Sequence, residues 1–190
     1  PSCRGTHPYI EGVQNIMRKH GLKPEQITSI KAVVSKVNQM LCEPLAAKKA
    51  PATPINAKFS IPFVIATAVH YGDVTLDHFA EEALRNRQVL ETAQKVSYEV
   101  DESLSFKETL HGTVIMEAGG QTFTEKVETP FGHPDHPISD ELLVGKFLSC
   151  AQHTAVPIPE SNLRRAADMI LNLEQVGDMR ELTALFHPAG

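Results

Sequence analysis

Phe59-Ser60-Ile61-Pro62-Phe63-Val64-Ile65-Ala66-Thr67-Ala68-Val69-His70-Tyr71 is almost wholly apolar. Pro62 falls where a first helical turn tolerates it, and Gly72 stands just past the end. A helix that is apolar on every side is buried on every side. The stretch is therefore expected to be the central helix of the core, and the rest of the chain must supply what covers it.

Upstream, Pro8 to His20 reads as a helix, with Ile10, Val13, Ile16 and Met17 at helical spacing and Gly21 to stop it. Ile27 to Val37 is rich in β-branched residues and reads as a strand. Cys42 to Pro54 holds three prolines around Leu45-Ala46-Ala47 and is expected to be a long loop.

Downstream, short helices are expected from Leu76 to Phe79 and from Asn86 to Gln94. Three antiparallel strands follow: Val96 to Asp101, Leu110 to Ala118 and Gln121 to Thr129. Gly119-Gly120 joins the last two as a two-residue hairpin turn. In the first, Val96, Tyr98 and Val100 alternate with Ser97, Glu99 and Asp101, the pattern of a sheet with one wet face.

Pro130 to Pro137 is turn-rich, and beyond it the chain turns helical. Ser139 can cap a helix with the stripe Leu143, Phe147 and Cys150. Pro159 opens another, with Leu163, Ala167, Ile170 and Leu171 on one side. Asp178 and Glu181 have capping-box spacing for a last helix carrying Leu182 and Leu185. The fold class expected is α+β: a small, mainly antiparallel sheet with helices packed on it, then a C-terminal helical segment. The α+β domain is expected to span 1–137 and the helical segment 138–190.

Composition is that of a soluble globular protein, with 42% hydrophobic and 22% charged residues. The longest apolar run, Ile61 to Val69, is far short of a membrane span. Cys3, Cys42 and Cys150 are widely separated and form no CxxC, which disfavours a disulfide framework or zinc site and suits a reducing, cytoplasmic compartment. Pro1 is a poor natural start, so the chain is expected to be the C-terminal part of a longer enzyme or a processed product.

The net charge of −5 hides an asymmetry: residues 1–60 carry nine Lys/Arg against three acids (+6), leaving 61–190 at −11. That is either a positive field for an anionic substrate or a solvated basic face. Nucleic acid is not an expected partner, because no aromatic residues interleave with the cations.

Cys3-Arg4-Gly5-Thr6-His7-Pro8 crowds a cation and an imidazole into a turn that opens a helix. His7 there suits a general acid or base, or simply a surface position at a helix start; Arg4 suits a carboxylate, or only solvent. Lys58 and Ser60 open the buried helix, where a cation and free N–H groups could hold an anion, or where Ser60 is a plain cap. Gly132-His133-Pro134-Asp135-His136-Pro137 has a metal-like look. Its prolines restrict how the imidazoles converge and no further ligands support it, so a turn is expected and no metal. No P-loop, dinucleotide fingerprint or nucleophile elbow is present.

Three blocks in order, Pro1-Ser2-Cys3-Arg4-Gly5-Thr6-His7-Pro8, Ala57-Lys58-Phe59-Ser60-Ile61-Pro62-Phe63 with Gly72, and Pro130-Phe131-Gly132-His133-Pro134 with Pro137, Glu141-Leu142 and Lys146-Phe147, resemble the MmgE/PrpD family. Its members include 2-methylcitrate dehydratase, cis-aconitate decarboxylase and iminodisuccinate epimerase. The resemblance implies a site between a large helical domain, absent here, and the small α+β domain. It implies a lyase acting on a small di- or tricarboxylate, dehydratase-like or decarboxylase-like, without metal or other cofactor. His7 would be catalytic, and Arg4, Thr6, Lys58 and Ser60 would bind substrate. This chain alone is expected to be inactive, and the assembly a homodimer. The alternative is a non-catalytic carboxylate-binding or dimerisation module that kept the fold.

Overall fold

The computed structural model describes residues 1–105 and 108–187. They divide into two compact units, Pro1–His136 and Pro137–Gly190.

The first unit opens with a single 3-10 turn, Arg4–Thr6, that runs into helix α1, His7–His20. Gly21 ends α1 in the left-handed conformation at φ 60°, which a residue without Cβ adopts freely. Strand β1, Ile27–Val34, follows and stops three residues short of Val37, where the chain turns into the 3-10 segment Asn38–Leu41. The expected long loop instead contains a short helix, α2 at Leu45–Lys49, and its last residue opens α3, Pro54–Lys58. Its prolines sit ahead of or at the start of these helices, where a missing N–H costs nothing. Thr53 caps α3 by accepting from the Asn56 N–H at 3.3 Å.

The apolar stretch forms α4, Ile61–Tyr71, with Ser60 as its cap. Every residue from Ile61 to Val69 is buried, while Phe59 and Tyr71 at the margins are exposed. Asp77–Phe79 makes only a 3-10 turn, and Asn86 caps α5, Arg87–Gln94. Strands β2 (Val96–Val100), β3 (Gly112–Ala118) and β4 (Gln121–Val127) complete the sheet.

The sheet order is β2-β1-β3-β4. β3 is antiparallel to β1 and to β4, and Gly119 and Gly120 turn the hairpin with φ 57° and 77°, the two positive values that a two-residue turn of this kind requires. β2 departs from expectation. It pairs with β1, not β3, and runs parallel to it, Ile30 opposite Val96 and Val34 opposite Val100. The chain leaves β1, crosses through α2 to α5 and re-enters the sheet in the same direction, as a long helical crossover allows.

One face of the sheet is covered by helices. α1 lies over β3 and β4, and α4 packs between α1 and α5 while touching β2. The core joins Tyr9, Val13 and Ile16 of α1 to Ile30, Ala32 and Val34 of β1, Val114 and Met116 of β3, and the body of α4. Gly12 lets α1 come close, since a Cβ there would stand 2.9 Å from Val114 Cγ2. The other face is wet: Lys31 pairs with Glu99 at 3.1 Å, and Ser29 Oγ donates to Glu117 at 2.8 Å.

The second unit holds α6 (Asp140–Ala151), α7 (Glu160–Leu171) and α8 (Met179–Ala184). Ser139 caps α6, and Asp178 caps α8 by accepting from the Arg180 N–H at 2.9 Å. The expected stripes shift. α6 buries no residue, and on α7 the buried set is Leu163, Ala166 and Ala167, with Ile170 46% and Leu171 43% exposed. The small core of Ala166, Leu182 and Leu185 explains this, because α8 is short and covers only the middle of α7. Among the described residues, no helix is long and apolar enough to cross a membrane.

Candidate functional site

Two residues of the Cys-Arg-Gly-Thr-His block, Cys3 and Thr6, are held by backbone. The Cys3 N–H donates to the Lys58 carbonyl at 2.8 Å, and the Thr6 N–H donates back to the Cys3 carbonyl at 2.8 Å. Thr6 is fully buried; its Oγ1 donates to the Cys3 carbonyl at 2.7 Å and shares a 2.8 Å hydrogen bond with Ser2 Oγ. Gly5 is needed for close approach, since a Cβ would meet Asn38 Oδ1 at 2.6 Å and Leu41 Cδ1 at 2.9 Å. Asn38 is itself fixed, its Nδ2 donating to the Thr109 carbonyl at 2.6 Å. The turn thus presents Arg4 to solvent and delivers a half-buried His7 as the first residue of α1.

The second block meets the first at the α3–α4 turn. Ser60 is fully buried; its Oγ accepts from the Phe63 N–H at 3.1 Å and donates to the Lys48 carbonyl at 2.5 Å. Lys58 is half-buried, with its Nζ 5.7 Å from the centre of the Phe79 ring, a cation–π contact that steadies the ammonium. The structure therefore brings Arg4, Thr6, Lys58 and Ser60 to one locality, with His7 at the head of the adjoining helix. Arg4 is exposed and Lys58 half-buried, whereas the hydroxyls of Thr6 and Ser60 are committed to the protein.

Two further groups border this turn. Lys48, on α2, donates its Nζ to the Phe59 carbonyl at 2.6 Å. Burial pushes its ammonium pKa down, against the pull of Cys42 and Cys3. Cys42 is buried, and burial pushes its thiol up to about 12 despite the nearby Lys48 ammonium. Neither residue stands out in the sequence, because the Pro-rich segment carrying them reads as loop. The only signal was the basic excess of residues 1–60, to which Lys48 contributes.

The His133–His136 segment is a turn. Gly132 N–H donates to the His136 carbonyl at 2.8 Å, His133 Nδ1 accepts from the Asp135 N–H at 3.1 Å, and His136 Nδ1 lies 3.1 Å from the Thr129 carbonyl. Among the described residues, no group of three or more His, Cys, Asp or Glu side chains is placed to hold a metal ion.

Residues 1–175 match the MmgE/PrpD C-terminal domain. The chain belongs to the MmgE/PrpD family. Within this family it is 26% identical over 191 residues to the cis-aconitate decarboxylase-like protein oryM of Aspergillus oryzae, covering 95% of this chain and 38% of that protein. It is 27% identical over 194 residues to the cis-aconitate decarboxylase of Mus musculus, covering 97% and 38%. The human cis-aconitate decarboxylase is 28% identical over 137 residues, covering 71% and 28%. The chain thus spans 38% of the length of the first two MmgE/PrpD relatives.

Proposed function

We propose that this chain is the C-terminal part of a metal-independent lyase that acts on a small di- or tricarboxylate, and that it supplies one wall of the active site. The decarboxylases among its relatives favour decarboxylation, with dehydration of a 2-methylcitrate-like acid as the neighbouring chemistry. The observation that carries the reading is the bond from the Cys3 N–H to the Lys58 carbonyl, which joins the turn that carries Arg4 and leads into His7 to the turn that carries Lys58.

Either reaction leaves an electron pair on carbon next to a carboxylate. Loss of a proton ahead of a hydroxyl leaving group does so, and so does loss of carbon dioxide. The pair delocalises onto carboxylate oxygens, so cations fixed beforehand at those oxygens stabilise the transition state. Arg4 fills that role, while Lys58 holds a carboxylate whose charge stays the same throughout. His7 takes the proton from carbon in dehydration, or gives one to carbon after carbon dioxide departs. Thr6 and Ser60 serve from behind by fixing the two turns.

The companion wall belongs to a helical domain, so positioning of substrate needs both parts. The test is turnover of cis-aconitate and of 2-methylcitrate, with EDTA present, by the complete polypeptide encoded by the gene and by residues 1–190 alone. Turnover of one acid by the complete polypeptide and none by residues 1–190 is expected. No turnover of either acid by the complete polypeptide overturns the lyase reading, and loss of activity on adding EDTA overturns its metal independence. Turnover by residues 1–190 alone overturns the half-site.

A further inference from the structure

β2 is one margin of the sheet, with β1 on its inner side and no strand of this chain on its outer side. The ladder to β1 is parallel, Ile30 opposite Val96 and Val34 opposite Val100. At its two ends the Ile30 N–H donates to the Lys95 carbonyl at 3.1 Å and the Asp101 N–H to the Val34 carbonyl at 2.9 Å. The odd-numbered residues therefore turn their backbone groups to β1, and Val96, Tyr98 and Val100 turn theirs outward. Among the described residues, no loop takes a hydrogen bond with those three. β2 carries no Pro, no Gly and no bulge, the devices that keep an open edge from recruiting another strand.

Lys95-Val96-Ser97-Tyr98-Glu99-Val100-Asp101 is complementary to itself when reversed. Laid antiparallel about Tyr98, a second copy sets Val96 opposite Val100 and Tyr98 opposite Tyr98, so the three outward residues each exchange both backbone bonds. Lys95 then faces Asp101, and Ser97 faces Glu99. Lys95 Nζ gives one donor to the Ile27 carbonyl at 2.7 Å and keeps two, while Asp101 takes its Ser103 bonds on Oδ1 and keeps Oδ2. Other registers are worse. A slip of one residue calls on backbone groups already bonded to β1. A slip of two sets Glu99 against Glu99 one way, and Val100 against Gln94 of α5 the other.

The helix-covered side of this edge offers apolar cover. Met40, Pro44, Leu45 and Tyr98, with Glu43, line an open hollow there. Met40 is 65% exposed, the most exposed large apolar side chain among the described residues. The Tyr98 hydroxyl donates to Glu43, which also accepts from Gln39 Nε2 at 3.0 Å, so the ring is held at the margin. Across the two-fold axis a second Tyr98 comes to this hollow, where a thioether suits an aromatic ring.

We propose that a second copy of this chain docks on β2, strand against strand, in the register centred on Tyr98. The two sheets become one, running β4-β3-β1-β2 and then the same strands in reverse. The interface is isologous and closed, and it leaves no free β2 edge. This goes beyond the lyase reading and does not depend on it.

The complete polypeptide encoded by the gene is tested. Tyr98→Cys, made together with Cys150→Ser, places two thiols at a hydrogen-bonded pair whose Cα atoms lie about 5.5 Å apart, within disulfide range. Mild oxidation should join two chains, and mass spectrometry should find the peptide bearing position 98 linked to itself; absence of that linkage in folded protein overturns the proposal. Tyr98→Pro removes an outward N–H that β1 does not use, a change an edge strand tolerates. The molar mass by light scattering should halve from wild type to Tyr98→Pro; a monomeric wild type, or a folded variant of unchanged mass, overturns the proposal. Lys95→Glu should raise the Kd of this association about tenfold, and adding Asp101→Lys should restore it. A double variant no tighter than Lys95→Glu overturns the pairing.

Discussion

Cys3 and Lys58 are joined through their backbones, the Cys3 N–H 2.8 Å from the Lys58 carbonyl. That bond links the turn leading into α1 to the turn leading into α4. The two helices pack on each other in the core, so the turns at their N-termini form one platform on a rigid base.

The platform depends on Gly5. A methyl there would lie 2.6 Å from Asn38 Oδ1 and 2.9 Å from Leu41 Cδ1, both held by their surroundings. Gly5→Ala should lower stability by about 1–3 kcal/mol, the usual cost of overpacking, measured by urea denaturation. An unchanged midpoint would mean that the turn shifts freely.

Ser60 joins two elements with one hydroxyl, capping α4 and holding the Lys48 carbonyl. Ser60→Ala should cost about 1–2 kcal/mol, combining a lost cap with a carbonyl left unpaired. The same denaturation experiment reads it, and a loss no larger than that of an exposed Ser→Ala control would contradict the double role.

Lys58 is held over the Phe79 ring, which is itself buried against Phe63. In the complete polypeptide Lys58→Ala should raise KM with little change in kcat, because the carboxylate it holds is charged in ground and transition states alike. Phe79→Leu, which removes only the ring, should raise KM about two- to fivefold. Equal kcat losses and unaltered KM in both variants would show that Lys58 acts on the transition state alone.

Cys42 makes the fold sensitive to alkali. Burial raises its thiol from 9.0 to about 12, so the folded chain keeps a proton that the unfolded chain releases. The stabilisation is complete below about pH 9 and is lost as pH climbs toward about 12. Cys42→Ala should flatten the fall in denaturation midpoint across that window. In the native wild type, Cys150, which is exposed, should react with iodoacetamide well before Cys42.

Most of the first unit was legible because its signals are local. The spacing of Val13 and Ile16 with Gly21 beyond them defines α1, the unbroken apolar run defines α4, and Gly119-Gly120 defines the hairpin. The parallel pairing of β2 with β1 was not, since Val96 meets Ile30 only after the intervening helices have folded. α2 escaped because Pro44 and Pro51 bracket it, and propensity weighs against a helix between prolines that in fact lie just outside it. With α2 went Lys48, whose place at the α3–α4 turn is a tertiary fact. Arg4, His7 and Lys58 stand out in the sequence by residue type; that the turns carrying the first and last are joined does not. On α7, the apolar pattern runs further than the burial does, as Ile170 and Leu171 show.

The central claim is that His7 moves the proton at a carboxylate-bearing carbon, and the most direct measurement is the steady-state turnover of His7→Ala in the complete polypeptide with EDTA present. The account predicts a kcat lower on the order of 10²–10⁴-fold, the usual worth of a general acid or base, with the fold intact by circular dichroism. A His7→Ala enzyme that turns over its acid at the wild-type rate would contradict it.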